Sequence, residues 1–410
     1  MRDGGRAVTD SRGGLAAERR LTPGGGESTV GTRPTHIPFN RPRTTGDEFD
    51  YIREAIANGH LSGNGPFSRR CAELLENRVG SHAALLTHSC TGALEMCALL
   101  LGVGPGDEVI MPSFTFSSTA GAFALRGATV VFVDVRPDTL NVDVDAVGSA
   151  VTPRTRVIVP VHYAGVACDM DELLSVAAAK DVYVVEDAAQ ALLSTYKARP
   201  LGSLGHLAAL SFHETKNVSC GEGGALLIND DRFAADAEIV QEKGTNRQQF
   251  YRGQVDKYTW VSLGSSYAPS EINAAFLYAQ LVHVDSITVD RLRIWNAYHD
   301  AFADLEAEGN LRRPIVPAHA GHNAHLYYLL LPDGRSRDRL IKLLAERNVN
   351  AVFHYVPLHE SPAGRRYGRA SGELRTTVDV SARLVRLPLW VGMQDSDIER
   401  VVAGVYEALA

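Results

Sequence analysis

Cysteine is scarce in this chain. Cys71, Cys90, Cys97, Cys168 and Cys220 are its five, an odd number with no CxxC pair among them. That excludes a disulfide framework, argues against a zinc site or any other metal centre, and points to a reducing cytoplasm. No apolar run is long enough to span a bilayer, so no membrane partner is expected. Excess charge is small, at −7, which gives no reason to expect nucleic acid or an anionic membrane surface as a partner. The first 35 residues have almost no large apolar side chains and are rich in Gly, Arg, Ser and Thr. They lack the apolar core of a signal peptide, and a disordered extension is the expectation for 1–35.

What is present is ordinary globular material. Apolar residues make up 45% and charged residues 22% of 410 residues, enough for a large α/β domain and a smaller one. From Ile37 onward, short apolar runs alternate with helical spacing. Ala83–Leu86, Glu108–Met111, Thr129–Val133, Val157–Val161, Val182–Val185, Leu207–Phe212 and Ala225–Ile228 read as strands. They are continuous in Val, Ile and Leu rather than alternating, as in a mainly parallel sheet buried on both faces. Residues 244–264 read as a long loop, and Ser270–Leu305 as a long helical stretch. The spacing predicts a large domain over 36–305. It predicts a smaller α+β domain over 306–410, with strands near Ala324–Leu331 and Val352–Tyr355 and helices over Arg337–Arg347 and Asp395–Leu409.

Ligands of such sheets sit beyond the carboxyl ends of the strands. Ser89, Phe116, His162, Asp187, Ser211 and Lys216 all fall there. Lys216 lies in Ser211-Phe-His-Glu-Thr-Lys-Asn217, just before Gly221-Glu-Gly-Gly224. A desolvated lysine loses its proton readily and becomes a nucleophile able to form a Schiff base. Asp187 ends the strand before it. A covalent lysine anchor plus a carboxylate for the pyridinium nitrogen is what pyridoxal 5'-phosphate requires. Each residue also has a plainer reading: Asp187 as a helix cap, Ser89 or Thr91 as ordinary N-caps, Phe116 as core. Ser89, Cys90 and Thr91 between a strand and a helix, with Ser211, suit a phosphate. His354 and His359 have no partner at metal-ligand spacing.

Together these residues resemble the DegT-type nucleotide-sugar aminotransferases, a branch of PLP fold type I. The likeness runs from Ile37 to the C-terminus. It is carried by Pro38–Pro42, Gly106–Phe116, Val131–Val135, Glu186-Asp-Ala-Ala-Gln190, Ser211–Asn217 and Gly221–Gly224 in order. Pro160–Cys168, Glu242–Arg247, Arg252–Trp260 and Val352–His359 look closest to members that aminate carbon 4 of TDP-4-keto-6-deoxy-D-glucose, as in enterobacterial common-antigen biosynthesis.

The resemblance implies an aspartate-aminotransferase-like fold and a homodimer with active sites at the subunit interface. It makes Lys216 the Schiff-base lysine and acid/base, and Asp187 the ring-nitrogen partner. Gln190 matches the position that contacts the ring hydroxyl, Phe116 the stacking aromatic, and Ser89, Cys90, Thr91 and Ser211 the phosphate positions. His162, Tyr163 and His354 are expected in the substrate pocket. Two positions depart from the family pattern. Cys90 replaces a small Gly or Ala. Gly264-Ser-Ser-Tyr-Ala-Pro269 replaces Gly-Tyr-Asn-Tyr-Arg-Met, so Ser266 stands where an Asn reaches the neighbouring subunit's cofactor. With Ala268 in place of the usual Arg, the substrate's anionic parts are expected at Arg247, Arg252 or Lys257. The expected partners are a TDP-ketosugar and an amino acid donor, glutamate by family habit. A sugar dehydratase of the same fold would carry His in place of Lys216. A 3-keto acceptor and a non-catalytic PLP- or sugar-binding protein are the other readings.

Overall fold

The computed structural model describes residues 35–409. The expected extension over 1–35 lies, but for its last residue, outside the described residues. Five strands come first: β1 (Ala83–Thr87), β2 (Glu108–Pro112), β3 (Thr129–Val133), β4 (Thr155–Ile158) and β5 (Tyr183–Asp187). A small ribbon of β6 (Thr195–Tyr196) and β7 (Arg199–Pro200) leads to β8 (Leu207–Ser211) and β9 (Gly224–Ile228). The last quarter of the chain adds β10 (Ala320–Gly321), β11 (Tyr327–Leu330), β12 (Val352–Phe353), β13 (Gly368–Ala370) and β14 (Leu384–Leu387).

Eight strands form one sheet in the order β1-β9-β8-β5-β4-β2-β3-β13. All pairs are parallel except those of β9 with β1 and with β8. Alternate residues feed opposite cores. Ile110, Val131, Ile158 and Val184 pack on one face, and Val109, Val130, Val157 and Val185 on the other. Burial on both faces is the reason these strands show no polar alternation. Each fully buried aliphatic side chain contributes roughly 1.5–3 kcal/mol of transfer free energy.

Helices cover both faces, and their ends follow local chemistry. Pro66 opens Pro66–Val79, where its missing N–H costs nothing, and Gly80 closes it at φ 80. That helix buries Phe67, Cys71, Leu75 and Val79, a stripe with helical spacing. The expected helical stretch from Ser270 to Leu305 is three helices, Glu271–Val282, Val284–Ala301 and Ala303–Ala307, broken at His283 and Phe302. The expected loop over 244–264 contains a short helix, Arg247–Tyr251, whose propensity was masked by its polar flanks.

The C-terminal sheet has the order β11-β14-β12. Its core joins Tyr327, Leu329, Val385 and Leu387 to Ile294, Trp295 and Tyr298 from the helix Val284–Ala301, and to Ile37. The expected boundary after residue 305 therefore does not separate the side chains of this core. Strand β13 crosses back to pair with β3, and Arg369 within it reaches the buried Glu108 at 3.2 Å.

Candidate active site

The carboxyl ends of β2, β4, β5 and β8 meet at one edge of the large sheet. Strand β9 runs the other way, so its first residue, Gly224, lies at this edge, paired with both Thr87 and Ser211. A Cβ at Gly224 would sit 2.5 Å from the Cys90 nitrogen, so only glycine lets the ladder approach the start of the helix Cys90–Leu100. Ser89 caps that helix, its Oγ accepting from the Gly92 N–H at 3.1 Å. Thr91 Oγ1 donates to Ser118 at 2.7 Å. Ser89, Thr91 and Ser211 thus bracket a helix N-terminus, where free N–H groups and the helix dipole favour an anion.

A cavity of about 920 Å³ opens over this edge. Ser89, Cys90, Thr91, Phe116, Asp187, Gln190, Ser211, Lys216 and His354 line it, so the structure brings these expected residues together. Asp187 accepts from Thr119 Oγ1 at 2.7 Å and from the Ala189 N–H at 3.2 Å, which orients the carboxylate and leaves it acceptor capacity. Burial pushes the Lys216 ammonium pKa down, against the pull of Cys90 and Asp187. Among the described residues its amine has no ion-pair partner. Phe116 is 60% exposed, so its ring is open to the cavity rather than committed to the core. Burial raises the Cys90 thiol well above its ordinary value, and it stays a thiol.

Behind this wall, Glu186 is fully buried and accepts from the backbone N–H groups of Gly202, Leu204 and Gly205 and from His162 Nε2 at 2.9 Å. Burial raises its pKa, but His162 and these N–H groups outweigh burial and hold it below the usual carboxylate range. His162 Nδ1 accepts the Cys168 N–H at 3.2 Å, which leaves Nε2 to carry the proton directed at Glu186.

Other expected residues stand elsewhere. His162 is therefore a buried support for the strand end, not part of the cavity wall. Tyr163 is buried too, its hydroxyl bonded to His354 Nδ1 at 2.7 Å. Arg252 is paired with Glu238 at 2.8 and 2.6 Å, Arg247 bonds the Tyr251 hydroxyl, and Lys257 is exposed. Ser266 is exposed and bridges Glu242. None of these lines the cavity of this chain, because the 244–264 segment packs along its own helix and ladder.

Among the lining residues that escaped the sequence reading, three bear most on the chemistry. Thr119 sits in an unremarkable helix and carried no signal. Tyr355 follows His354 directly and was passed over for it. Arg386, a lone cation in the apolar run Leu384-Val-Arg-Leu387, is the one a sequence reading could have caught. Its Nε has no hydrogen-bond partner, Nη2 reaches only the Phe353 carbonyl at 3.4 Å, and its guanidinium lies 4.7 Å from the Phe39 ring centroid. Arg291 also lines the cavity, but its Nε and Nη2 donate to the Ala324 and His325 carbonyls. Arg386 is therefore the lining cation with donors left for an anion.

The DegT/DnrJ/EryC1/StrS aminotransferase family pattern matches residues 42–406. The chain belongs to that family. This aminotransferase is 34% identical to the spore coat polysaccharide biosynthesis protein SpsC of Bacillus subtilis, over 92% of this chain and 98% of that protein. Among solved structures it is similar to the aminotransferase TlmJ from Streptoalloteichus hindustanus, with 30% identity, TM-score 0.83, and coverage of 91% of this chain and 98% of the other. It is also similar to the sugar aminotransferase Spr1654 from Streptococcus pneumoniae in its PLP form, with 26% identity, TM-score 0.84, and coverage of 92% and 99%. The fold is that of the PLP fold type I aminotransferases, the cofactor is pyridoxal 5'-phosphate, and the substrates are a sugar and an amino donor. The site fits that cofactor: an amine without a counter-ion, an oriented carboxylate, an uncovered aromatic ring and a helix N-terminus with three hydroxyls share one cavity. Among the described residues, no helix is long and apolar enough to cross a membrane, and no His, Cys, Asp and Glu side chains group as metal ligands.

Proposed function

We propose that this aminotransferase moves the amino group of L-glutamate to carbon 4 of TDP-4-keto-6-deoxy-D-glucose. The product is the 4-amino-4,6-dideoxy sugar of glucose or galactose configuration, for glycan or secondary-metabolite synthesis. The observation that carries the chemistry is Lys216, desolvated and without a counter-ion, in the same cavity as Asp187. The choice of acceptor rests on the likeness of Pro160–Cys168, Glu242–Arg247, Arg252–Trp260 and Val352–His359 to the carbon-4 subgroup.

The cofactor supplies an electron sink for the carbon that loses its proton. Lys216 would anchor it and, once released, would move a proton between the donor's α-carbon and the cofactor in one half-reaction, and between the cofactor and C4 of the sugar in the other. Asp187 keeps the ring nitrogen protonated, and Thr119 holds the Asp187 carboxylate in place. Phe116 would stack on the ring, Ser89, Thr91 and Ser211 would hold the phosphate, and Gln190 would donate to the ring oxygen. Arg386 is the unspent cation of the opposite wall and meets a carboxylate of the donor. His354, fixed by Tyr163, lines the sugar side.

The enzyme is read as cytoplasmic and homodimeric. Tyr251, Tyr258, Leu263 and Trp260, the last 73% exposed, form an apolar stretch suited to a second copy. Arg247, Arg252, Lys257 and Ser266 border that stretch and would reach a site only in the partner. An active monomer in sedimentation would remove this part of the reading. For the chemistry, glutamate should bleach the visible band of the loaded enzyme, and the 4-ketosugar should restore it. A 3-keto acceptor restoring it faster would move the reaction to carbon 3, and a band that no amino acid alters would make the protein a sensor. Proton couplings of the product assign the C4 configuration.

A further inference from the structure

Two residues near Gln190 have backbone conformations that L side chains rarely adopt. Ala164 is at φ 58 and Tyr355 at φ 40, and neither is glycine. Strain of this kind persists only where the surroundings over-determine it, and it clusters at functional sites. Here both strained residues converge on one side chain. The Ala164 N–H donates to Gln190 Oε1 at 2.7 Å, and Gln190 Nε2 donates to the Tyr355 hydroxyl at 3.0 Å. Asn323 Nδ2 holds the Gln190 carbonyl at 2.8 Å. The Tyr355 ring is pinned by stacking on His354, 3.6 Å between centroids, and by edge contact with Phe114.

The logic of the amide follows. A backbone N–H can only donate, so Oε1 must face Ala164. Rotating the amide by half a turn would set N–H against N–H. Nε2 then faces Tyr355 with one hydrogen and keeps the other for the cavity that Gln190 lines. We propose that Tyr355 is a positioning residue that, with the Ala164 N–H, locks the Gln190 amide so that it presents a donor to the ring oxygen of the cofactor. Without the tyrosine hydroxyl only the Ala164 N–H holds the amide, which can then swing about that bond and carry Nε2 away from the ring oxygen. Burial holds the Tyr355 hydroxyl above its ordinary pKa, so it remains a protonated partner through neutral pH.

This inference rests on the aminotransferase reading, and the test separates the two. The full-length enzyme is loaded with pyridoxal phosphate, and the pH midpoint of its visible band is measured for wild type, Tyr355→Phe, Gln190→Ala and the double variant. A donor on the ring oxygen stabilises its negative charge and lowers its hold on the neighbouring proton. Tyr355→Phe and Gln190→Ala should each raise the midpoint, by about a threefold to tenfold change in the proton dissociation constant. The double variant should move no further than Gln190→Ala alone. Asp187, Cys90, His354 and Arg386 face the same space and are unaltered in every variant. Tyr355→Phe keeps ring and backbone, and band intensity per chain reports that it folds. An unmoved midpoint overturns the proposal, as does a drop in melting temperature without a shift. Additive shifts overturn it too, because the tyrosine would then act on the ligand directly. A wild type with no visible band sinks the cofactor reading and this inference with it, whereas a wild-type band with an unmoved Tyr355→Phe midpoint sinks the inference alone.

Discussion

One wall of the cleft is made from the strand ends of the large sheet and carries Asp187, Ser211 and the capped helix at Ser89. The other is made from β12, β14 and the turn after β12, and carries His354, Tyr355 and Arg386. The first wall is braced at Asp187 by Thr119, at Glu186 behind it by four donors, and at Ser89 by its own helix. The second wall holds a strained tyrosine and a guanidinium whose Nε has no partner. The difference is between a wall whose side chains are held in fixed orientations and a wall whose guanidinium is held by little of the protein itself. A cofactor that stays through every turnover suits the first. Substrates that arrive and leave suit the second, since spare donors are satisfied only when a ligand binds.

The comparison can be broken at several points. Lys216→Ala, at the meeting of the walls, should abolish turnover and the visible band, and normal turnover would remove the central role of this residue. Asp187→Asn, on the braced wall, should lower kcat by about a hundredfold or more while the enzyme still binds cofactor. Arg386→Gln, on the spare wall, should raise the KM for glutamate by about thirtyfold to a hundredfold, with the ketosugar half-reaction unchanged. An equal loss for the ketosugar would reassign the guanidinium to the diphosphate.

Glu186→Gln tests the bracing from behind and should cost roughly 1–3 kcal/mol of stability at neutral pH. Its sign with pH is fixed. The folded pKa of Glu186 lies below its unfolded value, so its contribution is complete above about pH 4.3 and is lost as pH falls through the lower folded pKa. The variant should flatten that acid limb in melting curves taken across pH. Arg252→Ala is the smallest test. Within one chain it breaks a surface pair with Glu238 and a 3.3 Å hydrogen bond to Gln254, together worth about 0–1 kcal/mol, and activity should hold. A large loss of activity would show that a second copy brings this segment to the cleft.

The same contrast explains what a reader of residues could see. Asp187 and Lys216 lie in short segments at the ends of long apolar strands, where local pattern and local chemistry coincide. The helix Pro66–Val79 carries its own signals in the sequence, an apolar stripe and a terminal Gly80. The second wall depends on β12, of two residues, and β14, of four, which pairing across the small sheet defines more than propensity does. The strand Leu384–Leu387 was missed for that reason, and Arg386 with it. Tyr355 could not be read either, because a backbone angle and an amide's orientation come from contacts with Ala164, Phe114 and Gln190, far away in sequence. Charge alone does not bring Arg247, Arg252 and Lys257 to this chain's own cavity, since Tyr251 and Glu238 engage the two arginines and the lysine stays in solvent.

Strand β13 has a consequence for how this chain is made. It pairs with β3 at the outer edge of the large sheet, and Gly368 lies so close that a Cβ there would fall 2.6 Å from the Val130 carbonyl. While a ribosome is still short of Gly368, most of the large sheet is already outside the exit tunnel with that edge unpaired. An open parallel edge invites any passing strand. A message cut before that codon would yield a nascent protein carrying its anchoring lysine and its acid, yet with a ladder ready to join its neighbours in an aggregate.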